Sequence, residues 1–484
     1  MHVRTIFPLL LVAVACGSPL VAQTLRWTHT YGGPGQDGGE SMVLGGDGGL
    51  VIAGFTSATP FAYKDVFILK TSAGGDSLWS RTYSPGMNDI ARAIRRTTDG
   101  GYIIAGMTEV NPQTFDPFLI KTDSMGVLQW QRQYDFGFGD DDRGHGVWQT
   151  TDGGYIVVGQ TWLVHGLFGN YDMYVIKTDA GGNVQWTRIF YREEEGGDVA
   201  LAVQQLADGG YIIGGFTQSS EWASYVVRTD SSGDSLWTRI YPGAWQSECY
   251  DIQAAPGGGF VLTGTESSFD TDTDLLLMKL DAQGGMVWKK IHGTVDADQG
   301  ESFEQLEDGG YIVAGMSANG TSGYDVYVVR TDSSGDTVWT RTVGGLGDDR
   351  SFSVVRTAPG SYVVTGWSWS FGQGVGDVYL LEFGDSPLMV RENSAYPEAL
   401  VLHPNYPNPF NPATTIEFRI AEFGWVTLRV YDVLGREIAT LVDGEKAPGR
   451  HTVEFDATGL PSGTYLACIR SGNAQRTGRL VLVK

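Results

Sequence analysis

From Trp27 to Phe383 the chain alternates short apolar runs with Gly-rich polar turns, and the alternation itself repeats. Asp-Gly-Gly followed by an aromatic residue or Leu, then an apolar run ending in Gly, recurs along the sequence. The anchors are Leu50, Tyr102, Tyr155, Tyr211, Phe260, Tyr311 and Tyr362, spaced 52, 53, 56, 49, 51 and 51 residues apart. Each repeat continues with a short strand ending in Lys or Arg, a turn, and a Trp: Trp27, Trp79, Trp130, Trp186, Trp237, Trp288 and Trp339. Apolar runs of this length between Gly and Asp turns predict strands. In the fourth repeat they fall at Ala200 to Gln205, Tyr211 to Phe216, Ser224 to Arg228 and Leu236 to Tyr241. Gly supplies the positive φ of the tight hairpins between them. Four antiparallel strands at a period near fifty residues predict the blade of a β-propeller.

The ends of the repeat predict how the propeller closes. The first Trp strand, at Trp27, precedes any complete unit, and the seventh unit has a third strand at Val378 to Phe383 but no Trp strand after it. The expectation is an all-β, seven-bladed propeller closed by the N-terminal strand, because closure removes an open edge. The first strand of each unit carries small residues at two positions, such as Gly39 and Ser41, Ala91 and Ala93, or Gly144 and Gly146. Crowding near a channel axis favours small side chains there. The next position is apolar in every unit (Met42, Ile94, Val147, Val203, Ile252, Phe303, Val354) and is expected between blades. The repeated Trp reads as a wedge from blade to blade rather than a ligand platform.

Composition changes the picture in three ways. Gly is abundant, at 68 residues, and so are aromatics, with 14 Trp and 22 Tyr, which suits packed strands and argues against disorder. Charge is uneven. Residues 386–484 hold ten basic and ten acidic side chains, leaving residues 23–385 at a net charge of −24. So acidic a surface repels nucleic acid, whose binding needs cations to replace phosphate counterions. Arg4, the apolar stretch Ile6 to Ala15 and Leu20-Val21-Ala22 predict an export signal over 1–22. Cys16 is an alternative lipoprotein site. No later stretch reaches the ~18 consecutive apolar residues of a membrane span. Cys249 and Cys468 then remain, too few for a disulfide framework.

After Phe383 the repeat stops. A linker is expected at 386–403, followed by Asn405-Tyr406-Pro407-Asn408-Pro409-Phe410-Asn411-Pro412-Ala413-Thr414-Thr415-Ile416. Val430-Tyr431-Asp432-Val433-Leu434-Gly435-Arg436-Glu437, Gly459-Leu460-Pro461-Ser462-Gly463-Thr464-Tyr465 and a final Arg479-Leu480-Val481-Leu482-Val483-Lys484 follow in order. Together these resemble the type A C-terminal sorting domain of the type IX secretion system, over residues 404–484. About seven short strands there suit a small, Ig-like β-sandwich. The resemblance implies export across the outer membrane of a Gram-negative bacterium, with the type IX machinery as partner and an extracellular or cell-surface destination. The repeats resemble, more loosely, Gly- and Trp-rich propellers joined to such domains. Quinoprotein docking motifs space Asp and Gly by four and sialidase Asp boxes by two. Here the spacing is three, so neither family's active site carries over.

Candidate sites follow from the loops. Trp162, Trp222, Trp367 and Trp369 follow second strands and Trp245 lies between blades, so all five are expected in loops on one rim. Flat rings there would stack on sugars or anchor a protein partner; alternatively they fold into small cores of their own. Six units open with Asp (Asp37, Asp89, Asp142, Asp198, Asp298, Asp349), and these read as turn caps rather than a cation ring. Asp270-Thr271-Asp272-Thr273-Asp274 has calcium-loop spacing, but Leu275 stands where Gly is required. No metal and no cofactor is expected. The third position of the first strands places Glu40, Arg92, His145, Tyr250 and Glu301 near the channel mouth, beside Leu201 and Phe352, where an acid, a base and a cation would suit general acid–base work. No nucleophile or zinc signature accompanies them, so no catalytic residue is assigned. The expectation is a secreted binding or adhesion module for glycan or a surface protein. The alternatives are a polysaccharide-degrading enzyme acting at the channel mouth and a structural surface component without a discrete ligand.

Overall fold

The computed structural model describes residues 21–483 except 113, 136–140, 166–167, 193–195, 219–221, 268–272, 295, 319–322, 388–399, 403–404, 406, 421–423, 433–435, 447–448 and 472–473. Most of the expected export signal with Cys16, most of the expected linker, and Asp270, Thr271 and Asp272 lie outside the described residues. The chain divides into two compact units, Met1–Leu388 and Met389–Lys484. Among the described residues there is no helix, and hence none long and apolar enough to cross a membrane.

In the first unit the strands form five four-stranded antiparallel sheets and one of eight. The eight-stranded sheet is two four-stranded groups, the fourth and fifth repeats, joined by one parallel pairing of Trp222 with Gln246. The architecture is β-propeller-like. In the fourth repeat the strands run Asp198–Gln205, Tyr211–Gln218, Trp222–Thr229 and Ser235–Pro242, up to two residues longer at the ends than periodicity predicts. The strand Val21–Tyr31 pairs antiparallel with Asp377–Pro387, which places Thr28 opposite Leu381.

Apolar side chains of neighbouring sheets meet in successive clusters. Ile94 packs with the first repeat's Val51 and Val66, and Val147 with the second repeat's Ile103 and Leu119. The series returns on itself: Met42, Leu50 and Ile52 pack with Val363, Val378 and Leu380 of the last sheet. The repeated Trp lie in these joins. Trp130, Trp186, Trp237 and Trp288 meet the anchor ring of the following repeat edge-on, at 5.8 to 6.1 Å. Each also covers a hairpin Gly of the next repeat. A Cβ on Gly126, whose φ is +72°, would come within 2.6 Å of the Trp79 ring, so only Gly admits both the turn and the indole. At Gly75 the His29 ring lies closest, with Trp27 beside it, and Tyr31 donates to the Gly75 carbonyl as Tyr83 does to Gly126 and Tyr134 to Gly182.

The second unit has a three-stranded sheet in the order Leu400–Leu402, Ala413–Ile420, Gly449–Asp456. A four-stranded sheet follows the order Glu437–Lys446, Gly424–Asp432, Gly463–Ser471, Ala474–Leu482. One apolar core, including Ile416, Phe418, Val426, Leu428, Phe455 and Ile469, serves both. The expected linker limits need correcting at both ends. The last strand of the first unit continues to Pro387, and Leu400–Leu402 already pairs with Phe418 to Ile420. The Pro-rich motif clasps the final strand. Asn408 donates through Nδ2 to the Arg479 carbonyl (3.0 Å) and accepts from Val481 N–H (2.9 Å), while the Phe410 ring enters the core. Cys249 and Cys468 are both free thiols.

Candidate functional site

All seven first strands carry a β-bulge at the same place. The register against the second strand slips between Gly39 and Ser41, Ala91 and Ala93, Gly144 and Gly146, Ala200 and Ala202, Cys249 and Asp251, Gly300 and Ser302, and Ser351 and Ser353. A bulge inserts one unpaired residue and re-aims its side chain. The inserted residues are Glu40, Arg92, His145, Leu201, Tyr250, Glu301 and Phe352, and all seven line one cavity. The structure thus brings the five channel candidates together, and the flanking small residues leave the bulges room.

Burial governs their chemistry. Arg92 pairs with Glu40, Nη1 to Oε2 at 2.6 Å. Burial, reinforced by Glu40, pushes the Glu301 carboxyl up to about 8, so it is largely protonated at neutral pH. Burial and the neighbouring Arg92 push His145 down to about 3, leaving a neutral ring 3.4 Å from Gln160 Oε1. The Tyr250 hydroxyl donates to Glu248. The ring therefore holds a proton donor, an ion pair and a neutral imidazole. The space between them is only about 100 Å³, below the ~300–1,000 Å³ of typical ligand pockets.

The rim tryptophans are arranged differently from the loop expectation. Trp162 lies within the strand Tyr155–His165, half-buried, with its ring edge-on to Tyr171 at 5.0 Å. Trp222 opens the third strand of its sheet and Trp367 lies within Ser361–Ser368. The ladders run further toward this rim than apolar periodicity indicates, because backbone pairing continues through polar positions. Only Trp245 and Trp369 stand outside strands, 59 % and 56 % exposed. Trp222, 37 % exposed, shares its backbone pairing with the neighbour of Trp245. Trp367 stacks on Phe352 at 6.5 Å and tilts against Trp369 at 5.7 Å. These three rings make a continuous aromatic path from the bulge ring to the exposed rim. Arg350 lies over Trp367 at 5.2 Å and is held by Asp348 through Nε at 3.0 and 3.1 Å. Arg350 and the exposed Phe371 were not among the sequence candidates. The cross-strand register, Arg350 opposite Trp367, is the signal that would have found the first.

The strand-opening carboxylates act as caps. Asp37 accepts from Gly33 N–H (2.8 Å) and Thr56, Asp89 from Gly86 N–H (3.0 Å) and Thr108, and Asp349 from Gly345 N–H (2.8 Å) and Ser368. Several also face an acid of a neighbouring third strand: Asp37 faces Asp377, Asp89 faces Asp65 and Asp198 faces Asp172. Where the fourth and fifth repeats join, both members are Ser, and Ser224 and Ser247 hydrogen-bond at 2.6 Å. Asp116, Asp135 and Asp142 bring oxygens within 4.8 Å of one another, with Gln133 donating to Asp116 at 2.7 Å.

Asp198 makes the electrostatic cost of such pairs measurable. Burial first, and then Asp172, pushes it up to about 6, although Thr217 opposes the shift. A folded-state pKa above the unfolded one favours folding in acid, and that contribution is lost as pH rises through about 6. Asp198→Asn should therefore stabilise the fold at pH 8 by roughly 1–3 kcal/mol. The gain should vanish near pH 4. Denaturation curves at the two pH values check this, and equal effects at both would rule it out.

Comparison with known proteins places the second unit. Residues 405–484 match the secretion system C-terminal sorting domain family. That domain directs export by the type IX secretion system to the cell surface or extracellular space, and the secretion machinery is its partner. Among curated proteins, the regulatory protein FlaEY of Caulobacter vibrioides is 24 % identical over 163 residues, 28 % of this chain and 17 % of FlaEY. This chain thus spans a small part of that relative's length. Among solved structures, PorZ, described as an essential bacterial surface component of the type IX secretion system of Porphyromonas gingivalis, aligns at 11 % identity. The alignment has a TM-score of 0.43 and covers 94 % of this chain and 60 % of PorZ. Drosophila Semaphorin 2a aligns at 6 % identity and a TM-score of 0.44, covering 94 % of this chain and 97 % of its own.

Proposed function

We propose that the chain is a secreted binding or adhesion protein of a Gram-negative bacterium: a closed seven-bladed propeller that presents exposed tryptophans to glycan, delivered by its sorting domain. Closure is supported by the pairing of Val21–Tyr31 with the last sheet and by the return of the packing series to Met42. The observation that carries the binding reading is the path Phe352–Trp367–Trp369, which ends in an indole 56 % exposed. A soluble protein rarely leaves such aromatic surface without a partner, and flat rings beside Arg350 suit the faces of sugars. A surface protein is the alternative partner. A hydrolase reading would use Glu301 as the acid, but the narrow space between the bulge residues weighs against a polysaccharide entering there.

A glycan array probed with the mature protein tests this. We expect hits that weaken at least about tenfold in Trp369→Ala, a loss of some 1.4 kcal/mol, with an unchanged melting temperature. Hits indifferent to Trp369→Ala, or no hits at all, would remove the rim from consideration.

A further inference from the structure

We propose a second site, at the other end of the first strands: the wider cavity on the side of the Asp-Gly-Gly hairpins binds a single neutral pyranose. It measures about 340 Å³, within the range of small-molecule pockets, and is lined by the second halves of all seven first strands. Antiparallel topology puts this end opposite the tryptophan rim.

Its charged groups are Arg95, Asp251, Glu304 and Arg356, set beside the Trp148 indole and neutral polar side chains such as Gln204 and Gln253. The Arg95 guanidinium lies 5.7 Å from the centre of the Trp148 ring and hydrogen-bonds the Ile94 carbonyl at 3.0 Å. Asp251 and Glu304 act on it electrostatically. Asp251 accepts from Gln253 Nε2 at 3.1 Å and from Phe303 N–H at 3.3 Å. Burial, aided by Asp251, pushes Glu304 up to about 7, so near neutral pH it both donates and accepts.

The repeat itself argues against a purely structural role. Asp251 stands where the other repeats carry Ser41, Ala93, Gly146, Ala202, Ser302 and Ser353. Arg95 and Glu304 share their position in the repeat with Val43, Trp148, Gln204, Gln253 and Val355. Asp251 accepts the Phe303 N–H as Ser41 accepts that of Ile94 and Ser353 that of Met42, so its carboxylate also serves the join between repeats. No requirement shared by all repeats accounts for the charges of Arg95 and Glu304 at a position that tolerates Val. The charges also select the ligand. Asp251 and Glu304 disfavour an anion, and Arg95 and Arg356 disfavour a cation. A neutral ring with hydroxyls for Arg95 and Glu304, and a C–H face for Trp148, meets these three groups at once.

The test is calorimetric titration of the full mature protein with glucose, galactose, mannose, N-acetylglucosamine and, as a charged control, glucuronate. At least one neutral sugar should bind with a Kd of roughly 0.1–5 mM. Arg95→Ala and the isosteric Glu304→Gln should each weaken it at least about tenfold. Trp369→Ala should leave it unchanged, which separates this site from the rim. The proposal falls if no neutral sugar binds at about 50 mM, if glucuronate binds more tightly than its neutral counterparts, if Glu304→Gln has no effect, or if Trp369→Ala abolishes binding.

Discussion

A chain lacking residues 405–484 should stop in the periplasm, with surface-exposed protein falling to background while total protein persists. The deleted segment is the sorting domain, and the remainder forms its own compact unit. The truncated chain should therefore accumulate folded rather than vanish by proteolysis. A milder change probes the same point. Phe410 is buried in the sorting domain's core, and Phe410→Ala should cost about 3–5 kcal/mol. That is a large part of the net stability of so small a domain, so export should drop without the first unit melting differently. Cell fractionation and labelling of intact cells read both outcomes. Undiminished surface labelling of the deletion would show that residues 405–484 are not the address.

The second large effect concerns ring closure. If the proposed ring is closed by its first strand, deleting residues 24–31 should abolish cooperative unfolding of the first unit. The deletion strips Asp377–Pro387 of its ladder partner and removes Trp27 and Tyr31 from the join between the last sheet and the first. Val378 and Leu380, fully buried in the intact protein, lose cover, and an unpaired edge invites association with other chains. Trp27 is partly buried, so its loss costs less than the ~3–5 kcal/mol of a fully buried Trp; added to the lost ladder, the deficit is a large part of the net stability of a whole domain. Calorimetry and light scattering should report a broad transition and aggregation. A sharp transition within a few degrees of the intact protein would overturn the closed-ring reading.

Repetition made the strands legible. A hairpin signal that recurs with Tyr102, Tyr155, Tyr211 and Tyr311 allows each copy to correct the others, and the strand lacking at one end matches the strand spare at the other. Strand ends were less legible, because backbone pairing extends through polar residues that carry no apolar period; Trp162, Trp222 and Trp367 were misplaced into loops for that reason. The bulge residues could be selected as a position, since small neighbours bracket Glu40, Arg92 and His145, but the cause was hidden. A bulge flips the in–out parity of everything after it. Arg95, Asp251 and Glu304 therefore face the cavity where simple alternation counted from the strand start would misassign them, and the lower site was missed. The sorting domain was legible through its motif. Its physical basis, Asn408 gripping the last strand, requires the fold.

The pairing of Thr28 with Leu381 also imposes a schedule on biogenesis. The strand Val21–Tyr31 cannot find its neighbour until nearly the last stretch of the repeats is available. A contact between such distant stretches of chain closes a long loop and is entropically costly to form early, so it belongs to the last events in folding of the first unit.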